Sequence, residues 1–234
     1  MNLGLFLVFL IFRRKKDNKI ISKPKFNKVA IYVGFAIVTY LLLFPIVTEF
    51  NKLLIRFGVI PTPFPYKMDL QGYLVSIFSL AILPAVFEEL LFRGIILKGL
   101  KQAGKTFSIV MSAVMFALFH LSISQTIYPL LMGLLLGGIM YKENNILYTI
   151  IVHFVSNFIT LTLDFFNISL NYYFFAFVAI ILMLVFLTLA LIYAIKGNRL
   201  SPKQKLTTKD AVYLCLSVTI LVVLWIINSI TILL

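Results

Sequence analysis

The stretch LQGYLVSIFSLAILPAVFEELLFRGIIL, Leu70 to Leu97, decides the fold. It is apolar for longer than the ~20 residues a helix needs to cross ~30 Å of hydrocarbon, yet Glu88, Glu89 and Arg93 lie inside it. An ionisable side chain at that depth costs upward of ~2.5 kcal/mol unless it is paired or meets water, so the three charges mark a special place in a membrane helix. The rest of the chain supports that solvent: 62% of its 234 residues are hydrophobic and 12% are charged, with a mean hydropathy of +1.05. Ordinary soluble domains carry about 25% charged residues. Lipid offers nothing to hydrogen-bond an open backbone, so the predicted class is all-α: a polytopic bundle of about eight transmembrane helices, the first one short.

The expected spans are 1–12, 29–50, 70–97, 107–121, 128–141, 146–163, 171–195 and 211–233. A formal charge of +13 could point to nucleic acid, but its distribution points elsewhere. Loops 13–28, 98–105, 142–145 and 196–209 hold eight, three, one and five Lys or Arg, seventeen of the 21 in the chain. Basic-rich and basic-poor loops alternate, which is the positive-inside pattern. The expected localisation is a multi-pass protein of a bacterial cell membrane, with the basic loops cytoplasmic. Its expected partners are membrane lipids and not nucleic acid, anionic headgroups being a secondary attraction.

The segment MNLGLFLVFLIF precedes RRKK, with its positive charge on the side opposite to that of a secretory signal. It is read as a short, tilted or partly interfacial helix. The single Cys215 excludes an intramolecular disulfide and reads as a small packing residue. Pro61, Pro63 and Pro65 make 51–68 an external connection that no helix can traverse. No linker, repeat or low-complexity tract divides the chain, so 1–234 is expected to be one membrane domain with its catalytic core at 70–163. GLLLGG, Gly133 to Gly138, carries small-xxx-small spacing and predicts a close helix contact.

The ionisable residues inside expected spans are Glu88, Glu89, Arg93, His120 and His153, and Asn157 follows His153 by one turn. Glu89 and Arg93 are i and i+4, so they share a face and form the expected ion pair. Glu88 lies ~100° around the helix and is the freer carboxylate. Phe116 and His120 share one face of their helix, as do His153 and Asn157. Pro84 deprives the Leu80 carbonyl of its helical donor and predicts a kink just before the carboxylates. Counted from the basic loops at ~1.5 Å per residue, Glu88 lies ~15 Å deep, His153 ~12 Å and His120 ~22 Å. Tilt or a re-entrant start has to bring His120 level if the three meet. A carboxylate and two imidazoles in such a place suit proton transfer or divalent-cation binding.

EELLFR at Glu88 to Arg93, FALFH at Phe116 to His120 and HFVSN at His153 to Asn157 resemble, in order, the EExxxR, FxxxH and HxxxN motifs of the CPBP intramembrane proteases. That family includes the type II CAAX prenyl endopeptidases, also called Abi proteins. The resemblance implies Glu88 as the general base on water with His120 assisting, and His153 and Asn157 as donors to the oxyanion. Glu89, Arg93 and Phe116 would support the site. The family is commonly labelled metalloprotease, and Glu88, His120 and His153 could instead hold a zinc ion. The glutamate mechanism, which requires no cofactor, is preferred because Asn157 and the second glutamate fit oxyanion and support roles better than a ligand set. No HExxH is present.

The resemblance further implies a lipidated or transmembrane peptide as substrate. Bacterial relatives are linked to bacteriocin immunity, peptide-pheromone processing or surface-protein handling. Two rival readings use the same residues. One is a non-catalytic membrane scaffold or immunity protein that binds a peptide in the same cleft. The other is an ion-coupled transporter, for which inverted repeats are expected and none is found. Substrate sequence and oligomeric state leave no mark in the chain.

Overall fold

The computed structural model describes residues 20–59, 69–178 and 181. Five principal helices run through them, with no strand among the described residues: α1 (Phe26–Arg56), α2 (Leu70–Gly99), α3 (Lys105–Phe119), α4 (Ile127–Glu143) and α5 (Ile146–Phe165). Residues 172–178 are also helical. The five helices correspond to the second through sixth expected spans. Segments 1–12 and 211–233, most of 171–195, the basic loop 196–209, the prolines at 61, 63 and 65, and Cys215 lie outside the described residues, so the count of eight is not established.

Helices α1, α2 and α5 are long and apolar enough to cross a membrane. Helix α3 has 15 residues and α4 has 17, or roughly 22 and 26 Å at the helical rise, which is short of ~30 Å of hydrocarbon. Helix α1 runs six residues past the expected end at 50, to Arg56. Its charged last turns explain the difference. Lys52 donates to Glu49 one turn earlier at 2.8 Å, and its ammonium lies 4.2 Å from the Tyr172 ring centroid, so polar tips reach outward while the backbone stays helical.

Helix α2 is not regular. Its α-helical turns Leu70–Ser76, Leu83–Glu89 and Leu97–Gly99 alternate with wider π turns at Ile77–Ile82 and Leu90–Ile96. Pro84 opens the middle turn, where its missing N–H interrupts the helical ladder. The two glutamates thus stand at the end of one regular turn bracketed by two irregular ones, and π turns of this kind often occur at functional sites. Asp69 starts α2 by accepting from the Gly72 N–H at 2.7 Å, and Asn145 starts α5 by accepting from the Leu147 N–H at 3.1 Å.

Gly133 and Gly137 bring α4 against α3. A Cβ at Gly133 would sit 2.9 Å from both the Cα and Cβ of Ala113, and one at Gly137 would sit 3.1 Å from the Ile109 side chain. Glycine is required at the first of these for the backbones to approach. Tyr32 and Ala36 of α1, Met132 and Leu136 of α4, and Tyr148 and Val152 of α5 join those helices through one buried cluster.

One end of the bundle collects the basic segments. Lys28 pairs with Glu143, whose other oxygen accepts from the Tyr32 hydroxyl at 3.0 Å. The Asn145 amide donates to the Ser22 carbonyl at 3.0 Å, and the Ile146 N–H to the Ile20 carbonyl at 2.9 Å. Lys101 and Lys105 lie 5.4 and 5.6 Å from the Tyr141 ring centroid. Residues 20–28, 98–105 and 142–145 therefore meet on one side, as the alternation of loop charge requires.

Candidate active site

Glu88, Glu89, Arg93 and His153 are 5%, 0%, 0% and 6% exposed, so four ionisable side chains share one buried region. Glu89 organises it. Its Oε1 accepts from Arg93 Nη1 at 2.7 Å and lies 3.0 Å from His153 Nδ1. A carboxylate oxygen can only accept, so Nδ1 carries a proton and donates. That fixes the ring and aims Nε2 at the other carboxylate, with Glu88 Oε2 at 3.9 Å. This separation is too long for a direct hydrogen bond. Glu88 Oε2 is buried and has no hydrogen-bond partner among the described residues.

Arg93 is held from three directions. Besides Glu89, its Nη2 donates to the Gly133 carbonyl at 3.2 Å, and its Cζ lies 4.5 Å from the Phe116 ring centroid. The guanidinium thereby ties α2 to α3 and α4. Its fixed charge and planar donor fork suit a carboxylate on one side and an aromatic face on the other.

Phe116 is the hub of the aromatic contacts. Its ring meets His120 at 5.0 Å and 86°, His153 at 5.7 Å and 89°, and Phe92 at 5.1 Å and 73°, all edge-to-face. His120 Nδ1 donates back to the Phe116 carbonyl at 2.9 Å, which leaves Nε2 with its lone pair free to accept. Glu88, His153 and Arg93 are near enough to His120 for their charges to act on it. The motif residue Phe116 thus sits between the two histidines and beneath the arginine.

The sequence places His120 inside the span 107–121, but α3 ends at Phe119 and His120 is its terminal cap. Leu121 takes up the left-handed conformation at φ 50°, in the position where a glycine commonly ends a helix. A branched side chain there costs roughly 1–2 kcal/mol, so the strain marks a turn held by its surroundings directly after His120. The short α3 also resolves the depth mismatch. The Phe116 ring, one turn before His120, touches both His120 and His153, so the end of α3 brings His120 level with the other groups.

Asn157 goes elsewhere. Its Nδ2 donates at 3.1 Å to the Leu80 carbonyl, the group that Pro84 cannot serve. The structure therefore gathers Glu88, Glu89, Arg93, Phe116, His120 and His153, and puts the Asn157 amide on the backbone of α2. Two supporting contacts carry little sequence signal. Ser112 Oγ donates to the Phe92 carbonyl at 3.0 Å, and the Gly133 carbonyl serves Arg93. The glycine spacing in α4 is the sole pointer to the second.

Glu88, His120 and His153 form the alternative zinc-ligand set. Among the described residues no group of three or more His, Cys, Asp or Glu side chains is placed to hold one metal ion. Glu89 engages Nδ1 of His153 and the Phe116 carbonyl engages Nδ1 of His120, which leaves Nε2 of each ring and Glu88 Oε2 as the atoms that would hold a zinc ion. The chemistry derived below passes through no metal.

The described residues thus form a helical, membrane-suited bundle around a buried Glu–Glu–Arg–His cluster. Residues 70–159 match the family described as type II CAAX prenyl endopeptidase Rce1-like. That match supports the CPBP family for this chain and, with it, a CAAX-type intramembrane protease in general terms. No curated protein and no solved structure gives a significant match.

Proposed function

We propose that the protein hydrolyses a peptide bond of a lipidated or membrane-associated peptide at the buried cluster centred on Glu88. The observation that carries the reading is the Glu88 Oε2 atom, buried, without a hydrogen-bond partner among the described residues, and 3.9 Å from His153 Nε2. One water can hydrogen-bond to groups so spaced. Glu88 takes a proton from that water while His120, accepting through Nε2, orients it. The hydroxyl attacks the carbonyl carbon, and the negative charge that develops on the carbonyl oxygen is met by the Nε2 edge of His153 as the oxyanion donor. The C–N bond then breaks as the proton held by Glu88 passes to the leaving amine. Glu89 and Arg93 hold His153 and α2 in place. The second oxyanion donor implied by the resemblance, Asn157, has its amide on Leu80, and the proposal does not require it to reach substrate.

The helices around the cluster favour a substrate that arrives through lipid, such as a prenylated or membrane-anchored peptide. Purified protein in detergent, challenged with a farnesylated peptide ending in a Cys-aliphatic-aliphatic-X sequence with and without chelator, tests the activity. New amine and carboxyl termini, formed at the same rate in chelator, support it. A protein that binds the peptide and never cuts it is a scaffold or immunity protein. Chelator sensitivity reversed by zinc would replace the glutamate mechanism with a metal-dependent one.

A further inference from the structure

Helix α2 loses a backbone hydrogen bond immediately before its carboxylates. Pro84 has no N–H to give the Leu80 carbonyl, and in an apolar setting an unserved carbonyl is costly. The carbonyl is served from outside the helix, by Asn157 Nδ2 of α5 at 3.1 Å. Glu88 stands four residues after Pro84, on the turn Leu83–Glu89 that this bond anchors. On the far side of the glutamates Ser112 Oγ of α3 donates to the Phe92 carbonyl at 3.0 Å, in addition to the Leu97 N–H which that carbonyl accepts within α2. A neighbouring helix thus grips the backbone of α2 in each of its two widened turns, and the glutamates lie between the grips.

We propose that Asn157 is a positioning residue: by donating to the Leu80 carbonyl that Pro84 cannot serve, it sets the direction in which α2 presents Glu88 to water. The proposal rests on the hydrolytic reading for its effect on rate, and on geometry alone for its effect on stability. It separates Asn157 from His153, although the two are one turn apart on α5. His153 faces the carboxylates, whereas the amide of Asn157 faces the backbone that carries one of them. It also gives the proline in α2 a role, since the carbonyl from which Pro84 withholds an N–H becomes a point of attachment for α5.

The test is a double-mutant cycle over Asn157→Ala and Pro84→Ala. Alanine at position 84 restores an N–H that can serve the Leu80 carbonyl within the helix. Asn157→Ala in the otherwise native protein is expected to lower kcat for the farnesylated peptide by about 10²-fold with little change in KM, as for a misdirected catalytic group. Added to Pro84→Ala, the same substitution is expected to cost less than about threefold, because the carbonyl no longer needs it. An equal loss in both backgrounds identifies a donor to the oxyanion and overturns the proposal.

Thermal unfolding of the four proteins in detergent keeps the inference testable if no peptide is cut. Asn157→Ala should lower the midpoint in the native background and leave it unchanged in the Pro84→Ala background. That outcome without hydrolysis upholds the clamp and defeats only the enzymatic reading. Where Pro84→Ala does not fold, the midpoint of Asn157→Ala alone decides, an unchanged or raised value overturning the proposal.

Discussion

The guanidinium of Arg93 lies over the ring of Phe116, with Cζ 4.5 Å from the centroid, while the edges of that aromatic system meet both histidines. A desolvated cation–π contact contributes about 2 kcal/mol, and the ring also fills the space that keeps the imidazoles apart. Phe116→Leu is expected to lower stability by about 2–3 kcal/mol and to reduce cleavage more than Phe116→Tyr does. Thermal unfolding in detergent, run beside the peptide assay, checks both.

Glu89 and Arg93 are fully buried and bonded at 2.7 Å. Removing one charge strands the other, at a cost of about 3–5 kcal/mol. Glu89→Gln alone should therefore be severely destabilised, and Glu89→Gln combined with Arg93→Met should be more stable than the single variant. Folded yield after extraction, together with the unfolding midpoint, measures the order of the two. A double variant weaker than the single one would remove the pair from the account.

Gly133 and Gly138 provide an internal contrast on one helix. A Cβ at Gly133 would sit 2.9 Å from the Ala113 backbone, whereas one at Gly138 meets nothing within 4 Å. Gly133→Ala is expected to cost about 1–3 kcal/mol, to spread α3 from α4 and to pull the Gly133 carbonyl from Arg93. Gly138→Ala should be neutral or stabilising by up to about 1 kcal/mol. Equal effects at the two positions would show that the close approach of α3 and α4 does not depend on Gly133.

Glu143 closes the basic end of the bundle, where Lys28 bonds to it, Tyr32 donates to its other oxygen and Lys142 lies nearby. The Lys28 hydrogen bond leads the effects that hold its carboxyl below the usual glutamate range, against the opposing effect of burial. A depressed carboxylate stabilises the folded protein above its unfolded value of about 4.3, and that contribution is lost as pH falls through the lower folded value. The unfolding midpoint of wild type should exceed that of Glu143→Gln at pH 7, with the gap closing only below about pH 4. A gap that persists unchanged to pH 3 would contradict this.

Much of this arrangement can be read from the chain, and the parts that cannot have physical reasons. Helices α2 and α5 follow from long apolar runs, and the Glu89–Arg93 pair follows from i, i+4 spacing on one of them. Hydropathy ends α1 too early because Asn51, Lys52 and Arg56 look like loop residues, although Lys52 bonds back to Glu49 along the helix. The stop after Phe119 is hidden because leucine is a poor signal for the left-handed turn that Leu121 makes. Spacing puts His153 and Asn157 on one side of α5 but says nothing of what each meets. Asn157 meets a backbone carbonyl, as does Arg93 at Gly133, and carbonyls occur at every residue, so composition cannot single them out. Pro84 does point to the Leu80 carbonyl as needing a donor; only the folded chain identifies that donor.

Glu88→Gln in proteoliposomes, compared with wild type at equal protein on the farnesylated peptide, tests the central claim most directly. The substitution keeps the shape of the side chain and removes the base, so cleavage should fall by at least about 10²–10⁴-fold while the unfolding midpoint holds. Cleavage retained at the wild-type rate would contradict the account, because the buried Glu88 carboxylate would then have no part in activating water.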